Sequence, residues 1–260
     1  MSAAAATFEA PVAGLGTDSR PSLVRLTGVE LRKMIDTRAG FWLQLANLAL
    51  MIAFVVVGLI EADPQDRTFH DLTWMALGPA GSLLPVVGLL LVTSEWSQRT
   101  TVITFALVPR RTRVLVAKLS AGLIVSLVSL VAALAIAAVG TAVAGPSSDA
   151  AWSFPPVMLG QAVVFITTSM IMGLAFGAMI LASAPAIVLY FLLPGGWAAL
   201  STISALEGPA RWLDNAHSLP PMTEDALSAI EWARVGTTLA LWVLLPAVIG
   251  VWRIRRSEVS

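Results

Sequence analysis

The sequence predicts an all-α integral membrane protein with six transmembrane helices. Its 260 residues are 57% apolar and 12% charged, about half the roughly 25% charged share of a soluble domain. The charges are also segregated, since positions 150–206 contain none. An uncharged run of that length is typical of two consecutive membrane spans of about 20 residues each. Lipid offers no hydrogen-bond partners to the backbone, so we expect the spans to be helices.

Six uncharged stretches are long enough to cross a hydrocarbon layer of about 30 Å as helices. The long uncharged run is divided near Pro185, because proline lacks a backbone donor and disfavours helical geometry just before itself. The predicted spans are residues 41–60, 72–93, 119–144, 156–181, 186–206 and 235–252, within a membrane domain covering 41–253. Residues 1–20 are small and polar, without the apolar core of a signal peptide, and we expect them to be disordered. Residues 254–260 form the predicted cytoplasmic tail.

The basic residues predict which side of the membrane the termini face. Six spans put both termini on one side, and that side carries 13 of the 16 lysines and arginines. The acidic residues are distributed oppositely, with 10 of 16 on the other side. Because cytoplasmic loops carry an excess of lysine and arginine, we expect a multi-pass protein of the cell membrane with both termini in the cytoplasm.

Several function classes are disfavoured by what the spans lack. No ionisable residue lies in the middle of any span, whereas ion-coupled transporters and intramembrane proteases use such groups. Both histidines, His70 and His217, fall in predicted outer loops, away from any haem-ligand position. A phosphate-binding loop ends in Gly-Lys, but the two lysines, Lys33 and Lys118, follow arginine and alanine. We therefore expect no catalytic residue, metal or cofactor in this chain, and an energy source supplied by a partner.

The segment before the first span, residues 21–40, predicts an amphipathic helix at the membrane surface. Apolar and charged residues alternate at helical spacing from Ser22 to Arg38, which fits a helix lying in the interface plane. Two interpretations stay open: a charged anchor that fixes the topology, and an elbow helix that relays motion from a bound protein. The charged positions of interest are Glu30, Arg32, Lys33, Asp36 and Arg38.

Residues 94–113, between the second and third spans, form the most specific segment of the sequence. Ser94 is a predicted helix cap, with Glu95 complementing the helix dipole and pairing with Arg99 four residues later. Apolar residues including Phe105 then give one face that a solvated loop would not need, before Pro109 ends the helix. The pattern predicts a helix that presses an apolar surface into another protein. The alternative is a basic loop that touches lipid headgroups.

Two stretches resemble the ABC-2 type permease subunits of actinobacterial ABC exporters. They are VELRKMIDTRAGFWL at 29–43 and TSEWSQRTTVITFALVPRRTRVLVAK at 93–118. The resemblance implies a type V exporter-like fold in which residues 94–109 form a coupling helix that docks into a separate ABC ATPase. The implied coupling positions are Glu95, Arg99, Thr100, Phe105, Pro109, Arg110 and Lys118.

The resemblance also implies the partners of the chain. They are two copies of the ATPase subunit, which would hold ATP and magnesium, a second permease copy or close homologue, and membrane lipids; no nucleic acid is expected. The implied function is export of a drug-like, amphipathic or lipid-like substrate. The alternative is a membrane scaffold or assembly factor that recruits a cytoplasmic partner without transporting anything.

A few further features concern the pathway and its surroundings. Polar or helix-deforming residues within the spans could line a substrate path, although interhelical hydrogen bonds or packing explain them equally well. Gly173 and Gly177 form a GxxxG pattern that indicates close helix packing. By the resemblance, the outer loop 207–234 would cap the pathway, and an ordinary surface loop is the alternative. The candidate lining residues are Gln44, Asn47, Ser82, Pro85 and Tyr190.

Overall fold

The computed structural model describes residues 21–97, 111–146, 148–200 and 226–256, together with the isolated positions 203, 208, 212, 213 and 222. The predicted tail 1–20, residues 98–110 and most of the outer loop 207–234 lie outside the described residues. Within these ranges the chain is helical and contains no strand. Six of the described helices are long and apolar enough to cross a membrane.

In chain order, the main helices of the described residues are named α1 to α7. Their bounds are α1 Leu23–Asp36, α2 Arg38–Glu61, α3 Phe69–Ser97, α4 Arg111–Ala144, α5 Pro156–Ile180, α6 Ser183–Leu200 and α7 Ala229–Arg256. Within α7, Ala240–Leu244 is π-helical. Short 3-10 helices at Pro64–Asp66 and Asp149–Trp152 lie on the α2–α3 and α4–α5 connections.

The predicted surface helix is a separate element from the first span. Ser22 caps α1 by accepting a hydrogen bond from the Arg25 backbone N–H at 3.2 Å. Thr37 is extended, which ends α1, and its hydroxyl accepts from the Gly40 N–H at 3.1 Å to cap α2. A Cβ at Gly40 would collide with the Met34 carbonyl. Glycine therefore allows the close turn from α1 into α2.

The predicted start of a new helix at Ser94 is wrong. Helix α3 continues to Ser97, so Ser94 and Glu95 lie in its last turns and not at a helix N-terminus. A carboxylate near a helix C-terminus is unfavourable to the helix dipole, and here two lysines compensate it. Helix α4 likewise begins at Arg111, ahead of the predicted span start at 119, so Lys118 is a helical residue.

The long uncharged run divides where proline chemistry predicts. Helix α5 ends at Ile180, and Leu181 adopts a left-handed conformation with φ 59°. Its N–H still bonds to the Gly177 carbonyl at 2.9 Å. Helix α6 starts at Ser183, two residues before Pro185, at a position where a missing N–H costs no helical hydrogen bond.

Helices α3 and α5 pack closely at the centre of the bundle. A Cβ on Gly173 would collide with the Pro85 backbone, and one on Gly177 would come within 2.9 Å of the Leu89 carbonyl oxygen. The packing interpretation of the GxxxG pattern is therefore confirmed. The fully buried core around this contact includes Leu84, Met170 and Phe176, whereas the first span exposes much of its apolar surface, as a lipid-facing helix does.

Candidate functional site

Four charged side chains from three helices meet beside the ends of α3 and α4 that flank residues 98–110. Glu30 and Lys33 come from α1, Glu95 from α3 and Lys118 from α4. We call these four residues the charge cluster. The Lys33 Nζ lies 2.8 Å from Glu30 Oε1 and 2.6 Å from Glu95 Oε1. The Lys118 Nζ lies 2.7 Å from Glu30 Oε2 and 3.0 Å from Glu95 Oε1.

The cluster is buried and electrically balanced. The side chains of Glu30, Glu95 and Lys118 are 6%, 9% and 5% exposed, whereas Lys33 is 36% exposed. Two carboxylates face two ammonium groups, so each buried charge has opposite charges within hydrogen-bond distance. Removing one member of such a group leaves an uncompensated buried charge, which costs about 3–5 kcal/mol.

Lys118 binds α4 to both of the other helices of the cluster, and Glu95 likewise contacts members on α1 and α4. Besides its bonds to Glu30 and Glu95, its ammonium donates to the Leu91 carbonyl at 2.9 Å. A lysine ammonium has three donors, and Lys118 uses all of them. The side chain therefore fixes the beginning of α4 against both α1 and the last turns of α3.

The electrostatics of Lys33 follow from its position at the edge of the cluster. Burial acts to lower the pKa of the Lys33 ammonium, since it disfavours the charged form. Hydrogen bonds and the negative charges of Glu30 and Glu95 outweigh that effect and hold the pKa above its ordinary value. Lys33 is therefore charged throughout the physiological pH range.

A second bond ties α4 to the start of α1. The guanidinium of Arg113 donates to the Pro21 carbonyl at 2.8 Å. Arg113 ends the predicted coupling segment, so both the cluster and this bond connect that segment to the surface helix.

The structure brings together only some of the predicted surface and coupling positions. Glu95 and Lys118 meet Glu30 and Lys33, but Arg32, Asp36 and Arg38 are exposed. The other predicted coupling positions, Arg99, Thr100, Phe105, Pro109 and Arg110, lie outside the described residues.

Sequence reasoning named all four members of the cluster but did not foresee that they form one unit. The available signal was the lysine content, because the chain has two lysines among its 16 basic residues and both belong to the cluster. A flexible ammonium with rotatable donors suits a site that must bridge several helices.

A cavity of about 350 Å³ lies against the cluster. Its walls are mostly apolar side chains of α2 and α3, with Lys33 and Glu95 at the polar end. Ser183, at the start of α6, also lines it and shares a 2.7 Å hydrogen bond with Thr93 of α3. The α5–α6 break is thereby connected to the same region of the bundle.

A second cavity, of about 190 Å³, lies near the middle of the spans among α3, α5, α6 and α7. It contains two of the predicted lining residues, Ser82 and Tyr190. The other three are elsewhere: Gln44 is half-buried on α2, and Pro85 packs against Gly173. Asn47 is 3% exposed, and its Oδ1 has no hydrogen-bond partner within the described ranges.

The described parts of the outer loop bind back onto the spans. The buried Gln161 side chain of α5 donates to the Met222 carbonyl at 2.8 Å and accepts from the Leu227 N–H at 3.0 Å. On α7, the Trp242 indole donates to the Leu213 carbonyl at 2.7 Å, and Thr238 donates to the Trp212 carbonyl at 3.2 Å. These hydrogen bonds satisfy carbonyl groups of the outer loop, so the loop backbone can lie against the apolar helix bundle.

Comparison with known proteins gives no assignment: neither a protein-family model nor a curated protein matches this sequence.

Proposed function

We propose that this chain is the membrane-spanning permease subunit of an ATP-binding-cassette exporter of the ABC-2 type. Two copies, or this chain and a close homologue, would form the pathway, and a separate ATPase would drive it. Its place would be the cell membrane, with both termini in the cytoplasm. The six apolar helices and the asymmetry of basic residues support this proposal.

The observation that carries the proposal is the charge cluster. A segment that receives force from a partner must be connected rigidly to the helices it moves. Glu95 and Lys118 stand on either side of residues 98–110, and both bind Glu30 or Lys33 of α1. Helices α1, α3 and α4 are thus held together next to the segment that, by the resemblance, would contact the ATPase.

The cluster suggests a mechanical role for each helix. When ATP binding closes the two ATPases, residues 98–110 would move with them and carry the ends of α3 and α4. A packed helix bundle adopts a few discrete arrangements and does not deform continuously. A displacement of the ends of α3 and α4 would therefore move the helices as rigid bodies between an inward-open and an outward-open state. Helix α1, bound through Glu30, would move along the membrane surface as part of the same body.

The absence of charge within the spans agrees with an external energy source. Among the described residues, the charged side chains of the bundle lie toward the helix ends, with the cluster at one end of α3. Coupling to an ion gradient normally uses a carboxylate or broken helix at mid-depth. ATP hydrolysis in a partner needs neither of these.

Purification from the native membrane in mild detergent, followed by mass spectrometry, tests the proposal. We expect an ABC ATPase at one copy per permease chain, with ATP hydrolysis that depends on this chain. Reproducible recovery of the intact chain without an ATPase would favour the scaffold instead, and the partner of residues 94–113 would then be sought among other recovered proteins.

A further inference from the structure

The mid-membrane cavity has a chemistry of its own. It is lined by residues of four helices, and three of them lie close to the middle of their helices: Ser82 on α3, Thr168 on α5 and Tyr190 on α6. Its volume of about 190 Å³ greatly exceeds the ~10–15 Å³ that one water requires. It is smaller than the ~300–1,000 Å³ typical of drug-sized ligands, which indicates a small ligand or one ring system of a larger one.

The hydroxyl groups that line this cavity differ in their partners: those of Ser169 and Thr238 donate to the Phe165 and Trp212 carbonyls, whereas others are left without one among the described residues. Tyr190 is 9% exposed, and its hydroxyl makes no hydrogen bond within the described parts of the chain; the same holds for Thr168. The Ser82 hydroxyl has only a long 3.4 Å contact to the Gly78 carbonyl. At mid-depth in a membrane an unpaired hydroxyl is unfavourable, so these groups are available to a ligand.

The backbone around the cavity is also irregular. Pro85 has no N–H, so the carbonyl of Gly81, which lines the cavity, lacks its usual helical donor. On the opposite wall, Trp242 and Val243 belong to the π-helical turn of α7, where Leu245 donates to the carbonyl five residues before it. Such π-helical turns occur frequently at functional sites.

The side chains that line the cavity indicate which kind of ligand fits it. Aromatic rings of Phe165, Tyr190 and Trp242 supply flat apolar surface, and a Cβ at Gly81 would lie 2.5 Å from the Phe165 ring, so glycine gives that ring its place. The described residues that line this cavity are all uncharged. A charged ligand would enter without a counter-ion, which is strongly unfavourable in a medium of low dielectric constant.

We propose that this cavity, formed within a single chain by α3, α5, α6 and α7, is a binding site for a small uncharged aromatic compound that carries a carbonyl or similar acceptor. Tyr190 and Thr168 donate hydrogen bonds to the acceptor, and the aromatic walls hold its rings. A role of this ligand as the transported substrate would rest on the proposed function, whereas its binding does not. The site itself is defined by the cavity.

Photolabelling with benzophenone tests the site on the full chain in lipid nanodiscs without ATP. Benzophenone is an uncharged aromatic ketone, and light attaches it covalently to neighbouring side chains. We expect saturable labelling of peptides that contain cavity residues such as Met172 and Trp242. Val139 and Val143 are 66% and 73% exposed on α4, and labelling there should rise without saturation because it reports partition into lipid.

Three variants separate binding from structure. Tyr190→Phe and Thr168→Val each remove a hydroxyl while keeping the shape of the side chain. Each should raise the benzophenone concentration needed for half-maximal labelling about 2- to 12-fold, the effect of one neutral hydrogen bond on affinity. Thr167→Val is the matched control, because Thr167 is next in sequence but bonds to the Val163 carbonyl at 2.6 Å and does not line the cavity. It should label like the wild type.

Two further probes test the chemistry of the ligand. Diphenylmethane, which lacks the carbonyl, should compete more weakly than benzophenone, and a benzophenone with a quaternary ammonium group should not label the cavity saturably. Labelling that never saturates, or that is unchanged in both Tyr190→Phe and Thr168→Val, would overturn the site. Neither result depends on recovery of an ATPase, so failure of the site and failure of the proposed function are distinguishable.

Discussion

The ammonium of Lys118 lies 2.7 Å from Glu30 and 3.0 Å from Glu95. One side chain of α4 thus binds carboxylates on α1 and α3, and through them it joins the surface helix to the two spans that flank residues 98–110. Since three of the four side chains of the charge cluster are buried, this connection is well shielded from salt, unlike an exposed ion pair.

Replacing Lys118 with methionine should destabilise the protein strongly. The variant keeps the apolar stem but leaves Glu30 and Glu95 with Lys33 as their remaining partner in the cluster, and we expect a loss of about 3–5 kcal/mol. Thermal unfolding in detergent, followed by size-exclusion chromatography, measures the change. Arg32→Met, on an exposed position of α1, is the control and should unfold like the wild type; equal stability of the two variants would contradict the structural importance of the cluster.

Removing one opposite charge along with Lys118 should restore part of the stability. In the double variant Glu30→Gln/Lys118→Met, Lys33 and Glu95 remain as a neutral pair 2.6 Å apart. The double variant should therefore be more stable than the sum of the single effects indicates, by about 0.5–3 kcal/mol. A double-mutant cycle of unfolding measurements gives this coupling, and strict additivity would mean that Glu30 and Lys118 do not interact.

The close contact between α3 and α5 predicts a difference between two glycines of the same helix. Gly173→Ala should destabilise the bundle because its Cβ would collide with the Pro85 backbone. Gly160→Ala meets nothing within 4 Å and should be neutral or stabilising by up to about 1 kcal/mol, since alanine favours helix. Comparison of the two unfolding temperatures checks this. A Gly173→Ala variant as stable as Gly160→Ala would contradict the packing.

The stabilisation by Lys33 should not vary with pH between 7 and 9. Its pKa is raised in the folded protein by Glu30 and Glu95, despite burial. A raised pKa gives stability that is fully present below the unfolded value of about 10.4 and is lost as the pH rises through the folded value. The difference in unfolding temperature between wild type and Lys33→Met should stay constant across this range. A difference that shrinks by pH 9 would show that Lys33 loses its proton there.

Composition and proline positions were sufficient to predict six helices long and apolar enough to cross a membrane. The uncharged stretches correspond to α2–α7, and the break near Pro185 follows from backbone chemistry that operates locally. The end of α3 could not be predicted in this way. Ser94 and Glu95 have the local pattern of a helix start, but their helical continuation is stabilised by Lys33 and Lys118 from two other helices. The sequence pattern of one segment does not indicate its contacts with other helices.

The same limit applies to the candidate sites. Tyr190 and Ser82 were identified as polar residues within spans, yet their common cavity depends on the π-helical turn of α7 and on the approach of Phe165 to Gly81. Asn47 has the same polar character in sequence but is buried away from that cavity. Which polar residues share a space is decided by the packing of four helices, and periodicity within each helix does not specify it.

Cross-linking from residues 94–113 tests most directly the central claim that this segment contacts an ATPase. The chain has no cysteine, so Thr100→Cys carries a unique attachment point for a photoactivated cross-linker. Ser153→Cys, on an exposed residue of the α4–α5 connection at the opposite end of the spans, is the matched control. In native membranes we predict a cross-linked product with an ABC ATPase from Thr100→Cys and none from Ser153→Cys. Cross-linking of the ATPase from Ser153→Cys, or none from Thr100→Cys while the ATPase co-purifies, would contradict the account.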